Sequence, residues 1–485
     1  MVEIIVWAIY LLMAFGAAVI LVLVFGGSLY LVGTRGEGFV PWIFPFIVLS
    51  VPISTVLTGR DVDAYVRNTM LAASAGDLGA SIWLLRLLLW PLLVICVAFI
   101  FVELFLSKGA DRAGSALFWS FVGYFIGETV LSGLFGYIPS LDHKMLYGPV
   151  LVSVFYFARH TDPAKIVHLA KTSGLASLVL AAMAALIYPK IAVQSNFTEG
   201  LLPWPRIRLW GLDSHANTLG PLSATVLLME IGRPYARRTA HLFALGLAFA
   251  VLILTQSKTA WVSCLGGSLV FFLGRAMSGI DLLTPLHRQR LVRALPGIVG
   301  GVCVIGAVAG FFILNMDERA ARFLSSSEGA RFSTLTGRSN IWDITMGAWA
   351  KNYVFGYGPS LWGPKFAASY LLLGTASNGH NQIVDLLGRA GWVGLVAFLV
   401  YFVVLVRYVW MLRPVLGLLP VALLVSMIVR SIPEVPFRIL NVQSSDFFLH
   451  LTILALSFEG VRQLVRTRAE AITKAPERQP AVARL

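Results

Sequence analysis

His380 and Asn381 stand side by side, preceded by the polar Ser377, Asn378 and Gly379 and followed by the mostly apolar run from Gln382 through Leu387. A polar start with an apolar continuation places both residues at the N-terminal end of a helix that enters a membrane. The partial positive charge of such a terminus depresses an imidazole pKa, leaving a neutral ring able to accept a proton. The same terminus offers free N–H groups to an anion such as phosphate. The other reading of His380 is an interfacial histidine that hydrogen-bonds a loop. Beyond it Gly388, Gly391 and Gly394 recur every third residue, so a neighbouring backbone can approach closely.

Three further strings carry groups suited to an anionic substrate. Between Pro203 and Gly220 lie Arg206, Arg208, His215 and Asn217, with Trp204 and Trp210 as interface anchors. A planar guanidinium suits bidentate contact with phosphate oxygens, although an arginine at the headgroup level can equally bind anionic lipid. Arg338 follows Thr336 and Gly337 and precedes Ser339 and Asn340, either of which can cap a following helix. Lys258, between Ser257 and Thr259, sits in a short connection where a lysine can also simply snorkel to the interface. Two carboxylates fall inside apolar runs: Glu230 at a span's cytoplasmic end, and the deeper Glu128, for which Arg86 is a candidate partner. There is no metal-ligand cluster, no phosphate-binding glycine loop with lysine and no nucleophile elbow, so neither a metal nor a cofactor is expected. Cys96, Cys264 and Cys303 each lie in an apolar run as packing residues.

The elements that must position these groups are membrane helices. Of the 485 residues 58% are hydrophobic and only 13% charged, and the mean hydropathy is +0.80. In lipid every backbone N–H and C=O must pair internally, so long apolar runs have to be helices, and their continuity argues against a barrel. Apolar spans fall near Ile4–Val32, Phe39–Leu57, Leu87–Leu106, Ala116–Ile138, Leu146–Ala158, Gly174–Val193 and Leu219–Ile231. The rest lie near Leu242–Leu254, Ala260–Leu273, Leu295–Leu314, Trp392–Leu412, Val415–Val429 and Phe447–Phe458. The expectation is an all-α polytopic membrane protein of about 12–14 spans. The net charge of +14 does not point to nucleic acid, because the basic residues cluster between spans. No basic region precedes the first apolar run, so no cleavable signal is evident.

Basic clusters at Arg159–Lys171, Arg233–Arg238, Arg275–Arg293, Arg407–Arg413 and Arg462–Arg484 are each two spans apart and can all face the cytoplasm. That places Gln194–Asn217, Gln256–Thr259, Asn315–Gly391 and Ser431–Asp446 outside. An outward N-terminus and a cytoplasmic Arg35 fit, but Thr58–Ser81, with Arg60 and Arg67, then lies outside against the positive-inside bias. The connection Asn315–Gly391 is far longer than joining two helices requires. Its stripe of Ile341, Trp342, Met346, Trp349 and Tyr353 reads as a buried helix face, making it an ordered helical periplasmic subdomain. The division expected is therefore 1–193 N-terminal helices, 194–314 central helices with the arginine-rich loop, 315–391 the large loop, 392–460 C-terminal helices and 461–485 a basic cytoplasmic tail.

Taken together the strings resemble the bacterial O-antigen ligase and O-antigen polymerase superfamily of membrane glycosyltransferases. The resemblance rests on His380 and Asn381 followed after nine residues by Gly391 and Gly394, closing the large outer loop. Arg208 with Gly211, His215 with Asn217, the Ser257-to-Ala260 run and the Thr336-to-Arg338 run resemble the family's other landmarks in the same order, from about Gln194 to Gly394. Two positions depart: Lys258 stands where the family often has arginine, and Ala216 where a proline commonly precedes the asparagine. The resemblance implies an inner-membrane protein with a periplasmic active site and a polyprenyl-diphosphate-linked glycan donor. It also implies a glycan or lipid-core acceptor, membrane lipid and polysaccharide-assembly partners around it, and metal-independent, inverting transfer. His380 matches the family's proposed base, and Arg338 with Arg208 or Arg206 the diphosphate binders. A polymerase for exopolysaccharide or O-antigen, a ligase onto lipid A core, a polysaccharide transporter or lipid flippase, and a non-catalytic scaffold for envelope assembly remain the readings to separate. The few charged residues within the spans weigh against the transporter.

Overall fold

The computed structural model describes residues 26–30, 36–64, 66, 78–106, 113–158, 161–197, 206–280, 338–363, 366 and 378–473. Ile4–Val32 for most of its length, Leu295–Leu314, Arg35, Arg67, Cys303, Trp204 and the run 334–337 lie outside them. The regular secondary structure of the described residues is helical apart from one two-residue antiparallel pair, β1 (Val193–Gln194) with β2 (Arg208–Leu209). Six helices are long and apolar enough to cross a membrane, and three shorter apolar ones accompany them. The chain is an all-α polytopic membrane protein.

The helices are α1 (Ile43–Thr58), α2 (Leu78–Phe101), α3 (Ser115–Phe135, with a π turn at Ile126–Leu131), α4 (Tyr147–Phe157) and α5 (Pro163–Ile187). They continue with α6 (Ala216–Gly232), α7 (Arg238–Leu254), α8 (Lys258–Ile280), α9 (Arg338–Trp349), α10 (Gln382–Met411), α11 (Leu419–Ser431) and α12 (Ser445–Thr473). α12 is the most enclosed of the long helices, with Phe447, Phe448, Leu451, Leu454 and Phe458 buried in the core. α8 packs along α11 and α6, α10 along α3, and α9 along the start of α10. Apolar residues on the rim, such as Leu265, Phe272, Val400 and Val403, face outward, as a lipid-facing surface requires.

Two ends of the bundle differ in chemistry. Lys171, Arg233, Arg275 and Arg462 share one end, where Lys171 donates to the Arg233 carbonyl and Arg462 to the carbonyls of Phe155 and Tyr156. His215, Lys258, Arg338, His380 and Glu434 share the other. Arg60 belongs to this second end: its guanidinium donates to the carbonyls of Ile191 at 2.8 Å, Gly211 at 2.9 Å and Asp213 at 2.5 Å. An arginine spent on backbone carbonyls is a structural clamp, which is the physical reason it can depart from the charge bias of the connections.

Three sequence expectations need correction. The basic cluster at Arg159–Lys171 precedes no helix start at 174; α5 begins at Pro163, capped by Asp162, so Lys165 and Lys171 sit on its first turns. Glu128 pairs with Arg389 at 2.6 Å, an arginine far along the chain from the candidate Arg86, whose side chain lies outside the described residues. Of the expected stripe on α9, Ile341, Trp342, Met346 and Trp349 are half-buried but Tyr353 is exposed beyond the helix end, and the fully buried positions are the smaller Thr345 and Ala348. Small residues face inward there because α9 lies close against α10 at Gly388.

α10 is one helix by sequence and two by geometry. Gly391 has φ 60° and ψ −159°, conformations that only glycine adopts readily, and breaks the hydrogen-bond ladder. The freed groups pair with the strand-like segment after α9: Tyr357 N–H donates to Gly388 O at 2.8 Å and Gly358 N–H to Arg389 O at 2.9 Å. On the far side of the break Trp392 N–H donates to Tyr353 O at 3.0 Å and Val393 N–H to Val354 O at 3.1 Å. The short helix 382–390 is thereby welded to the loop subdomain, and the apolar span starts at Trp392.

Candidate active site

Asn381 is the N-cap of α10, its Oδ1 accepting from the N–H groups of Ile383 at 3.0 Å and Val384 at 3.1 Å. Its Nδ2 donates to Ile432 O at 2.9 Å, tying the helix start to the turn after α11. The terminal N–H groups expected to meet an anion are therefore taken by this cap, and Asn381 is a fastener rather than an open binding group. His380 lies one residue before the cap, in the left-handed region at φ 46°. Its ring meets not a helix terminus but a carboxylate: Nδ1 is 3.3 Å from Glu434 Oε2.

Glu434 joins the two residues singled out from sequence. Its other oxygen, Oε1, accepts from Arg338 at 3.4 Å, so one carboxylate bridges imidazole and guanidinium. The carboxylate is held from behind, since Glu434 N–H donates to Arg430 O at 2.9 Å and Arg430 pairs with Asp446. Burial alone would push the Glu434 carboxyl upward. The His380 hydrogen bond and the charges of Arg430 and Arg338 outweigh it and hold the group below its ordinary range. Glu434 is ionised at neutral pH. An Nδ1–H donated to it leaves the His380 Nε2 lone pair as the acceptor, the arrangement of a histidine base oriented by a carboxylate. Sequence reasoning missed Glu434 because it stands alone between Pro433 and Val435 in a short connection, 54 residues beyond its partner. An acidic residue in an apolar chain just past a span was the available signal.

The arginine-rich loop forms the second wall. Arg208 Nε donates to Thr255 O at 3.1 Å and its NH2 to Asn217 Oδ1 at 2.6 Å, while its guanidinium lies 4.9 Å above the Phe197 ring. Asn217 thus aims an arginine. Gln256 Nε2 donates to Ile207 O at 2.6 Å, so the connection carrying Lys258 is stitched to the same loop, with Lys258 exposed at the start of α8. Arg206 is exposed beside it and contributes a carbonyl to Phe197 N–H. His215 caps α6: its Nδ1 accepts from Asn217 N–H at 3.0 Å, and its ring packs on Trp210 at 4.2 Å. Burial first, and then the neighbouring Arg208, hold its pKa down to about 3. A neutral ring accepting at Nδ1 presents Nε2–H as a donor. Glu434 lies within electrostatic range of His215, which sets the loop wall near the His380–Glu434 pair.

Two arginines, a neutral histidine donor and a carboxylate-oriented histidine thus stand at one end of a helical bundle, groups suited to an anionic ligand. Residues 243–399 match the family described as O-antigen ligase. The match covers about a third of the chain and supports activity of the O-antigen ligase or polymerase type in general. The match takes in Lys258, Arg338, His380, Asn381, Gly391 and Gly394, and leaves out Arg208, His215 and Glu434. No curated protein matches the chain.

Proposed function

We propose that the chain transfers or polymerises a polyprenyl-diphosphate-linked oligosaccharide at the periplasmic face of the bacterial inner membrane, for surface-polysaccharide assembly. His380 Nε2 takes the proton of the acceptor hydroxyl as its oxygen attacks the anomeric carbon. The bond from that carbon to the diphosphate oxygen breaks, and the diphosphate leaves as an anion with inversion at the sugar. Arg338 and Arg208 neutralise the departing charge, with His215 Nε2–H as a further donor and Lys258 at the margin. Glu434 keeps the imidazole in the accepting tautomer and stabilises the imidazolium once the proton has arrived. The large loop, 315–391, holds two lipid-tethered substrates in register, which supplies much of the rate.

The single observation that carries this reading is the bridge from His380 through Glu434 to Arg338. Its test is substitution: His380→Ala and Arg338→Ala should each cut glycan transfer by roughly 10²–10⁴-fold while membrane insertion and abundance stay at the parent level. Unchanged transfer in both variants would remove the proposed chemistry. We favour polymerase over ligase, and a deletion strain separates the two. Accumulated single repeat units on the carrier mean a polymerase, and accumulated full-length polymer means a ligase.

A further inference from the structure

The mechanism leaves unused a set of hydrogen-bonded ionisable side chains buried between α3 and the short helix 382–390. Arg389 has a side chain with no exposure, and so has Glu128. Arg389 NH2 donates to Glu128 Oε1 at 2.6 Å, and Arg389 Nε donates to Asp385 Oδ2, one turn earlier, also at 2.6 Å. The other oxygen of Asp385 accepts the backbone N–H of Gly379 at 2.8 Å. Gly379 is the residue before His380, whose own N–H is held by Asn378 Oδ1 at 2.8 Å. One hydrogen-bonded chain therefore runs from α3 through Glu128, Arg389 and Asp385 to the backbone that carries the imidazole. Glu128 lies in the π turn of α3, where the extra residue per turn opens the ladder.

The partner of His380 is fixed from the same place. Gln382, on the same short helix, accepts from Phe437 N–H at 3.0 Å, and Tyr124, four residues before Glu128, donates to Phe437 O at 3.1 Å. Phe437 closes the segment that carries Glu434. Both halves of the histidine–carboxylate pair thus hang from one rigid contact between α3 and residues 382–389. A residue in the left-handed region is held there only by its surroundings, so loss of the Gly379 anchor frees His380 to relax away from Glu434.

We propose that Glu128 and Arg389 are positioning residues, which clamp Asp385 on the Gly379 amide and so hold His380 at Glu434 without touching substrate. The inference rests on the transferase reading for its kinetic consequence but not for its structural one, so the test has two arms. Breaking one member leaves an unpaired buried charge and destabilises the fold, whereas a charge-balanced apolar replacement is tolerated. Arg438, whose charge also acts on Asp385, remains as its counter-charge. In Glu128→Leu/Arg389→Met the melting temperature should therefore stay near that of the parent, while amide hydrogen exchange at Gly379 and His380 quickens at least tenfold. In the same variant kcat should fall about 10–100-fold with the donor KM within twofold. If that variant is not recovered, Asp385→Asn, nearly isosteric, should show both changes in the same direction. Exchange at the parent rate, or kcat restored along with stability, would overturn the proposal. Should the parent protein transfer no glycan at all, the transferase reading falls, while the exchange arm still decides whether Glu128 and Arg389 anchor the loop.

Discussion

Two glutamates, each gathering a basic side chain and a histidine, stand at opposite ends of the bundle. Glu230 is fully buried and close to all its partners: Lys171 Nζ at 2.5 Å, His241 Nδ1 at 2.7 Å and Tyr235 N–H at 2.8 Å. Glu434 holds Arg338 at 3.4 Å and His380 at 3.3 Å; Arg338 keeps 21% of its side-chain surface exposed against 3% for Lys171, while the two histidines are alike, 24% for His380 and 30% for His241. The same residue types make a closed staple in one place and a loosely drawn, solvent-reachable cluster in the other. A fully buried carboxylate whose contacts are all short has little capacity left for a ligand, whereas longer contacts between a partly exposed carboxylate and guanidinium can tighten or exchange when a substrate arrives. The contrast separates structure from chemistry where composition does not.

The sharpest way to break the comparison is to remove each carboxylate's charge without changing its shape. Glu434→Gln should lower kcat for glycan transfer by at least about 10²-fold through loss of the accepting tautomer, measured on purified protein in nanodiscs. A rate within threefold of the parent would mean that the carboxylate does not orient His380. Glu230→Gln should do the reverse, costing about 3–5 kcal/mol of stability because Lys171 is left buried and uncompensated. Transfer per folded molecule should hold steady, and a lower turnover at an unchanged melting temperature would contradict the staple.

Within the site, Arg208 and Arg206 test orientation against mere charge. Arg208→Ala should raise the donor KM roughly tenfold, and Arg206→Ala only about twofold, because only the former is aimed by Asn217 and Thr255. Equal effects would make the loop a diffuse basic surface. The smallest effect concerns pH. His215 has a folded pKa near 3 against 6.5 for a free imidazole, so between those values the unfolded chain binds a proton that the folded one refuses. Stability should be level above pH 6.5 and decline as pH falls toward 3. A melting curve at pH 7 and pH 5 should show a drop that His215→Gln reduces. Glu434, held below its unfolded value, contributes stability that is present above about pH 4.5 and lost as pH falls through its folded pKa.

Several features were legible in residues alone. Continuous apolar runs with basic punctuation require helices in a bilayer, because backbone groups there have no water to bond. A conspicuous histidine, an arginine at 338 and an arginine-rich loop also stood out, being costly or unusual where they lie. Tertiary structure alone could choose among partners. Glu434 comes to His380 from 54 residues away, and Arg389 comes to Glu128 from 261 residues away. Asn381 turned out to fasten rather than bind, and Arg208 rather than Arg206 is the aimed guanidinium. Periodicity and hydropathy report the solvent each side chain prefers, a local quantity. Which charge meets which is settled by the crossing of helices far apart in the chain, and a single sequence carries no record of that distance.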